Sequence, residues 1–231
     1  MKHAFEARPR IGIGVYTLPD VAGILDIPYH KVHRWVNEYL NNRLGKNFDA
    51  HYTWSIDTTK AVSFHTLVEL HTFFQLSKAG VRSDKILEAH ALLAKKFDTT
   101  FPFAFEPVLA GLRTDGRCLY HKTKDSKGRS VILDLDGTYQ LSLAFIKLFF
   151  KKLDFGDDLL AERYWPIGKS NSIVCDPRKK FGQPIIDGTG VPADAIYGMK
   201  EAKRKPAHVA KLYSITEKQV KDAIEYCEKA A

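Results

Sequence analysis

The sequence is poor in cysteine and has neither a long apolar run nor the features of a secretion signal. Its three cysteines, Cys118, Cys175 and Cys227, lie far apart and form no CxxC pair. That pattern argues against a disulfide framework, a zinc knuckle and a redox motif. No stretch of about 18 apolar residues is present to cross a bilayer, and no apolar core follows Met1. We therefore expect a cytoplasmic protein without membrane contacts.

Complete motifs for phosphate and metal binding are also missing. The run Gly168–Ser170 ends like a phosphate-binding loop, but Arg163 stands where such a loop needs its first glycine. His30 and His33 lie three residues apart on a predicted helix without a third ligand nearby, so they indicate an exposed polar face more than a metal site. We expect no cofactor and no metal.

Acidic pairs leave an enzymatic alternative open. Asp134 and Asp136 alternate on one predicted strand and Asp157–Asp158 follow a predicted helix, so a paired-carboxylate nuclease site is conceivable. A turn at Asp136 and a solvated helix start at Asp157–Asp158 explain the same residues. Because no Glu-x-Lys or histidine companion completes a site, we expect a protein that is not an enzyme and has no catalytic residues.

The composition is that of a folded, basic protein. Hydrophobic residues make up 45% of the 231 residues, enough for a substantial core, and the formal net charge is +8. An isoelectric point near 9.2 favours a polyanionic partner such as nucleic acid. The excess charge is spread over the whole chain, however, and an evenly charged surface is also typical of a solvated protein.

The N-terminal part predicts two short helices joined by a tight turn. Thr17 is a suitable N-cap, with Asp20 three residues later, for a helix over Leu18–Leu25. Asp26–Pro28 is predicted to be a turn, because proline disfavours helical geometry in the residue before it. A second helix then follows over about Tyr29–Leu40.

That second helix separates an apolar face from a basic one. Val32, Val36 and Leu40 recur every four residues, with Trp35 beside them, which predicts a buried stripe. The remaining surface carries basic and polar side chains. These are His30, Lys31, His33, Arg34 and Asn37.

The patterns that follow alternate between strands and helices. Residues 41–61 favour a two-stranded hairpin or wing. A long helix should begin after Ser63 and end at Gly80, and another should cover Ser83–Phe97.

The central part predicts a second hairpin and a strongly apolar helix. The hairpin strands are Cys118–Lys122 and Val131–Leu135, and the helix covers Leu141–Leu153. Short strands are expected around Ile173–Cys175 and Pro184–Ile186, between prolines and glycines.

The same spacing of apolar residues occurs twice, once near each end of the chain. The second copy lies within residues 193–231, where the sequence predicts helices. Ala22 and Ala210 occupy the place where two helices of a helix-turn-helix cross closely and need a small residue. Asp26 and Ser214 stand where glycine is usual, and both types form turns through side-chain bonds to nearby backbone. An ordinary helical hairpin is the alternative for either copy, whereas two copies in register favour a helix-turn-helix. The repeated positions are Val21, Ala22, Leu25, Ile27 and Val32, then Val209, Ala210, Tyr213, Ile215 and Val220.

Two families resemble parts of this chain. TLPDVAGILDIPYHKVHRWV at Thr17–Val36, followed by a loose wing and the helical run Val62–Ile86, resembles the winged helix-turn-helix of MerR-type regulators. The DPxxxFGxP and GTxVP elements in Ser172–Ile196 are similar to the helix-turn-helix domain that ends certain VapB-type antitoxins. Shorter members commonly carry an arginine where Gly190 stands, so no role of that arginine transfers.

The resemblance implies a mainly helical α+β fold with three parts. A winged helix-turn-helix covers residues 1–97, a small middle α/β section covers 98–164, and a C-terminal three-helix helix-turn-helix domain covers 165–231. It also implies a homodimeric antitoxin that binds double-stranded operator DNA, represses its own operon and silences a PIN-like ribonuclease toxin. The rival is a protein-binding module that neutralises the toxin without touching DNA.

The expected contacts follow from that arrangement. The helix that begins at Tyr29 enters the major groove, and a wing around Arg43 and Lys46 contacts the DNA backbone. Basic residues near the C-terminus offer a second surface for phosphate or for an acidic protein partner. The expected DNA-binding residues are Tyr29, His30, Lys31, His33, Arg34, Asn37, Arg43 and Lys46. The second surface comprises Lys203, Arg204, Lys205, Lys211, Lys218 and Lys221.

Overall fold

The computed structural model describes residues 5–6, 8–45, 52–56, 58–114, 119–124, 130–134 and 148–230. Within these ranges, helices predominate and three small antiparallel sheets lie among them. This confirms the expected mainly helical α+β class.

The first helical pair begins directly after a two-residue strand, β1, at Tyr16–Thr17. Helix α1 covers Leu18–Leu25, and the predicted cap is present: Asp20 N donates to Thr17 Oγ1, while Thr17 N donates to the Asp20 carboxylate (2.8 Å). Helix α2 covers Tyr29–Arg34 and continues as a π-helical segment, Trp35–Gly45. The helical stretch therefore extends five residues beyond the predicted end at Leu40.

A hairpin follows, as predicted, but it occupies only the end of the expected region. Strand β2 covers Thr53–Ile56 and β3 covers Thr59–Val62, and β3 also pairs with β1, giving the order β1-β3-β2. Arg43 lies on the helical stretch instead of in the hairpin, because the helix continues through it. Lys46 lies outside the described residues.

Two long helices form the platform beneath this pair. Helix α3 covers Phe64–Lys78 with Ser63 as its N-cap, and α4 covers Ser83–Phe97, both as predicted. Gly80 adopts φ +94°, a conformation that suits glycine at the end of a helix. A buried carboxylate on α3, Glu69, lies 2.8 Å from His90 Nε2 on α4 and accepts a hydrogen bond from Phe103 N (2.7 Å).

The central part contains short helices and strands. After a 3₁₀ turn at Pro102–Ala104 come α5 (Glu106–Gly111), β4 (Leu112–Thr114), β5 (Leu119–Lys124), β6 (Ser130–Asp134), β7 (Leu153–Phe155), β8 (Ala161–Tyr164), β9 (Ile173–Cys175) and β10 (Pro184–Ile186). The predicted hairpin is confirmed as β5 and β6, which pair in register Lys122↔Ile132. The predicted strands β9 and β10 are confirmed with their predicted bounds.

The predicted helix Leu141–Leu153 is wrong at its C-terminal end. Residues 141–147 lie outside the described ranges and residues 148–150 are helical, but Leu153 opens strand β7. Leu153–Phe155 pairs with β8 at the edge of a four-stranded sheet of order β10-β9-β8-β7. An ion pair across the two strands, Asp154 to Arg163 at 2.8 Å, supports this pairing.

The C-terminal part is helical, as predicted. Helix α6 covers Ala193–Glu201, α7 covers Pro206–Tyr213 and α8 covers Glu217–Ala230. Their apolar faces share one core with β9 and β10, in which Ile196, Val209 and Val220 are buried.

Two main hydrophobic cores are present in the described ranges. The larger runs from Tyr16 to Cys175 and joins side chains on both sides of residue 97, for example Phe73 and Phe103. The smaller runs from Ile173 to Tyr226. The domain boundaries at 97 and 164 stay a prediction.

The two repeated segments fold into turns of the same geometry. Asp26 (φ 51°, ψ 53°) and Ser214 (φ 54°, ψ 43°) are both left-handed. In each turn the next residue closes back on the small alanine: Ile27 N donates to Ala22 O (3.0 Å), and Ile215 N donates to Ala210 O (2.9 Å). The sequence echo therefore reflects one local structure used twice, without glycine in either copy.

Replacing Ser214 by glycine is expected to raise the free energy of unfolding by about 0.5 kcal/mol. A residue with a Cβ atom is strained by about 1–2 kcal/mol in the left-handed conformation, and glycine removes that strain. This gain exceeds the entropic cost of ordering glycine, about 0.5–1 kcal/mol. A β-branched replacement, Ser214→Val, should instead lower stability by about 1 kcal/mol or more. Urea denaturation of the full chain measures both, and equal stability of the two variants would contradict the left-handed turn.

Candidate nucleic-acid interface

The helical stretch Tyr29–Gly45, which begins with α2, presents one buried and one exposed face, as its spacing predicts. Val32, Trp35 and Val36 are at most 2% exposed, so they anchor the helix in the larger core. On the opposite face Tyr29 is 51% exposed. His30, His33 and Arg34 are also exposed, and Lys31 and Asn37 are partly so.

The two cations of α2 are held differently. The Lys31 ammonium lies 5.8 Å from the centre of the Phe74 ring, so its stem follows the edge of the core. Arg34 extends into solvent. Within the part of the chain that the structure describes, no carboxylate forms an ion pair with either cation, so both remain available to an external anion.

Asn37, in the π-helical segment after α2, connects this helical stretch to the hairpin. Its Nδ2 donates to His33 O (2.9 Å) within the helix, and its Oδ1 accepts a hydrogen bond from Lys60 Nζ on β3. The structure therefore adds Lys60 to the basic face, a residue that the sequence did not single out. Lys60 and Asn37 are 23 residues apart in the sequence. A contact over that separation produces no periodic pattern from which it could be predicted.

Arg43 lies farther along the same helical stretch, beyond α2 itself. Its guanidinium lies 5.5 Å from the Tyr39 ring centre, and the side chain is exposed. This cation–π contact orients Arg43 along the helix surface. The expected wing contact at Lys46 lies outside the described residues.

The second predicted surface divides into two parts. Lys203, Arg204 and Lys205 form the connection between α6 and α7, with Lys211 on α7, and all four are exposed. Lys221 is exposed on α8.

Lys218 on α8 is engaged within the fold. Its Nζ lies 2.5 Å from Asp222 Oδ2 and donates to Ser170 O (3.0 Å). Burial opposes ionisation of Asp222, yet the hydrogen bonds from Lys218 and Ser172 hold the pKa of that carboxyl below its usual value. The ammonium of Lys218 is therefore already paired with a carboxylate.

The second helices of the two pairs differ in charge. The helical stretch Tyr29–Gly45 contains three Lys or Arg residues and one Glu, a net charge of +2. Helix α8, Glu217–Ala230, contains three lysines and four acidic residues, a net charge of −1. Only the first of the two would attract a phosphate backbone by its formal charge.

The carboxylates and possible metal ligands considered from the sequence are only partly covered by the described residues. Among them, no group of three His, Cys, Asp or Glu side chains is placed to hold a metal ion. Asp157–Asp158 lie in the turn between β7 and β8, so the predicted helix start there is wrong, and Asp158 instead accepts a hydrogen bond from Leu160 N (3.0 Å). Asp136 lies outside the described ranges.

No helix in those ranges is both long and apolar enough to cross a membrane.

Comparisons with known proteins give a partial family match and two full-length similarities. The family described as "Protein of unknown function (DUF433)" matches residues 173–227, from β9 into α8. The Mycobacterium tuberculosis (strain ATCC 25618 / H37Rv) protein named "Putative antitoxin VapB45" is 26% identical over 239 residues, covering 95% of this chain and 96% of that protein. The crystal structure of Rv2018 from Mycobacterium tuberculosis is 19% identical, with a TM-score of 0.65, and covers 94% of this chain and 99% of that chain. That structural likeness shows a shared fold.

Proposed function

We propose that this chain is a non-enzymatic, cytoplasmic antitoxin-type regulator that binds double-stranded operator DNA and a PIN-like ribonuclease toxin. The observation that carries the DNA-binding half is the exposed face of α2, where Lys31 and Arg34 have no internal carboxylate partner. The antitoxin half is supported by the similarity over nearly the whole chain to the protein named "Putative antitoxin VapB45".

The N-terminal part acts as a MerR-like winged helix-turn-helix in this proposal. Helix α2 enters the major groove, with the β2–β3 hairpin as the wing. His30, His33 and Asn37 supply groups that donate to and accept from base edges, while Lys31 and Arg34 neutralise phosphates or read guanine. The link from Lys60 to Asn37 holds hairpin and helix in one orientation. Arg43 reaches the backbone from the helix instead of from the wing.

The C-terminal three-helix unit binds the protein partner. Its helix α8 carries a net negative charge and pairs Lys218 internally, so it is poorly suited to a phosphate backbone. The exposed cations Lys203, Arg204, Lys205 and Lys211 suit an acidic patch on the toxin. The difference in net charge between the two second helices is also compatible with the rival, a protein-binding module that does not touch DNA. Such a module would bind the toxin through this C-terminal unit alone.

Salt dependence of binding separates the two possibilities. Fluorescence anisotropy measures binding of duplex DNA from the protein's own promoter. The logarithm of the binding constant, plotted against the logarithm of the salt concentration between about 50 and 200 mM, should have a slope near −5. That value assumes that three cations from each of two protomers contact phosphate and that each contact contributes about −0.9. Co-expression with the product of the neighbouring reading frame tests the toxin. A stable complex with that product together with a slope near zero would favour the protein-binding rival.

We expect the protein to be a two-fold symmetric dimer, because one helix-turn-helix buries little DNA surface and regulators pair to read two half-sites. Light scattering should give twice the chain mass of 26.2 kDa at micromolar concentration. A monomer both with and without DNA would exclude the dimer and the palindromic operator with it.

A further inference from the structure

A cavity of about 440 Å³ lies between the two helical pairs. The end of α1 and its turn contribute Ile24 and Asp26 to the lining, and the end of α8 contributes Lys229. Helix α3 supplies His71 and Gln75, and Lys152 comes from the segment before β7. Its volume falls within the range of about 300–1,000 Å³ that is usual for small-molecule sites.

Two lysines line this cavity, and one of them, Lys152, has no carboxylate partner among the described residues. The Lys152 ammonium donates to Pro166 O (2.7 Å) and keeps further donors for another partner. Burial, and then the neighbouring charge of Lys229, lower the pKa of Lys152. Lys229 also pairs with Glu225, and Asp26 lies in the lining. An anion placed between the lysines would relieve their repulsion.

A buried histidine in the lining lacks a partner for one of its nitrogens. His71 is only 6% exposed, its ring stacks on Phe149 with 3.9 Å between ring centres, and its Nε2 lies 3.1 Å from Gln75 Nε2. Burial, with a smaller effect of Lys152, lowers the pKa of His71 to about 3, so the ring is neutral. With the Gln75 amide as donor to Nε2, Nδ1 carries the proton, and Nδ1 has no hydrogen-bond partner among the described residues.

We propose that this cavity binds a small organic monoanion of the carboxylate class. Lys152 and Lys229 face its carboxylate, and the His71–Gln75 pair supplies neutral polar contacts. Lys229 is paired with Glu225, so Lys152 is the one lining cation without a carboxylate partner among the described residues, which suits a monoanion more than a doubly charged phosphate. A smaller part of the lining is apolar, with Ile24, Leu25 and Ile167, and it offers contacts to an organic skeleton. The lining includes residues of both helical pairs, so the occupant would contact both. Its binding does not depend on whether the protein binds DNA.

Benzoate is a suitable probe, because it combines one carboxylate with an apolar ring. Titration of the ¹⁵N-labelled full chain at fixed ionic strength should give saturable shifts in the cavity residues. Lys152→Met, which keeps the aliphatic stem, and His71→Phe, which keeps the stack on Phe149, should each weaken benzoate at least tenfold. Lys151→Met is the matched control, since Lys151 is exposed and outside the lining, and it should leave the affinity within twofold.

Two further ligands test the chemical class. Benzamide, the neutral analogue, should bind at least tenfold more weakly than benzoate, and inorganic phosphate should also bind more weakly. Gln75→Met replaces His71→Phe if the latter does not fold. No saturation by benzoate, equal binding of benzamide, tighter binding of phosphate, or unchanged affinity in Lys152→Met would each overturn the proposal.

Discussion

Replacing Trp35 by alanine is expected to lower the free energy of unfolding by about 3–5 kcal/mol. The side chain is only 2% exposed, and its ring lies 5.2 Å from the ring of Phe73 and 5.7 Å from that of Phe74. Alanine would leave a cavity in the larger core, where the helical stretch Tyr29–Gly45 packs on α3. Chemical denaturation of the full chain measures the loss.

Two further variants serve as controls for Trp35→Ala. Trp35→Phe should cost much less than Trp35→Ala, because the Trp35 indole N–H has no hydrogen-bond partner among the described residues. Arg34→Ala, on the exposed face of the same helix, should stay within about 0.5 kcal/mol of the wild type. A loss below about 1 kcal/mol for Trp35→Ala would contradict the packing of this helical stretch on α3.

Arg34→Ala is expected to weaken binding to the operator by about 1–3 kcal/mol if the side chain reads a base, and to relax one position of the site. If Arg34 contacts phosphate instead, the loss should be uniform across sequences, and the salt slope should fall in magnitude by about 2, because the dimer loses one phosphate contact in each protomer. Arg34 is the cleaner test than Lys31, whose contact with Phe74 contributes about 0.5–1 kcal/mol to stability. Anisotropy titrations against the operator and single-base variants measure both effects.

Lys221→Ala is the matched control for Arg34→Ala. Lys221 is an exposed cation on the second helix of the other pair, so it removes the same charge from the chain. Its operator affinity should equal that of the wild type within the error of the titration. Equal losses in the two variants would mean that net charge, and not the face of α2, governs binding.

Local signals explain why much of the fold could be predicted. The cap at Thr17 and Asp20, the proline at position 28 and the strands at Ile173–Cys175 and Pro184–Ile186 each depend on neighbours a few residues away. The repeated spacing around Ala22 and Ala210 also predicted two turns whose backbone angles agree closely.

Features that depend on distant contacts were missed. Strand β7 opens at Leu153, which the apolar pattern assigned to a helix, and β7 and β8 are held together by cross-strand pairs such as Asp154 with Arg163. The contact of Lys60 with Asn37 joins hairpin to helix. The cavity at His71 draws its walls from five separate stretches of chain. The sequence predicted the charged face of α2 but not what holds it.

The most direct test of the central claim compares the salt dependence of DNA binding in two double variants. Lys31→Ala with Arg34→Ala removes the two cations of α2, and Lys218→Ala with Lys221→Ala removes two from α8. The first variant should lose affinity, and its log–log slope should fall in magnitude by about 1 for each lost phosphate contact. The second should keep the wild-type slope, since Lys218 is already paired with Asp222. A reduced slope in the second variant with an unchanged slope in the first would place the DNA-binding helix at the other end of the chain.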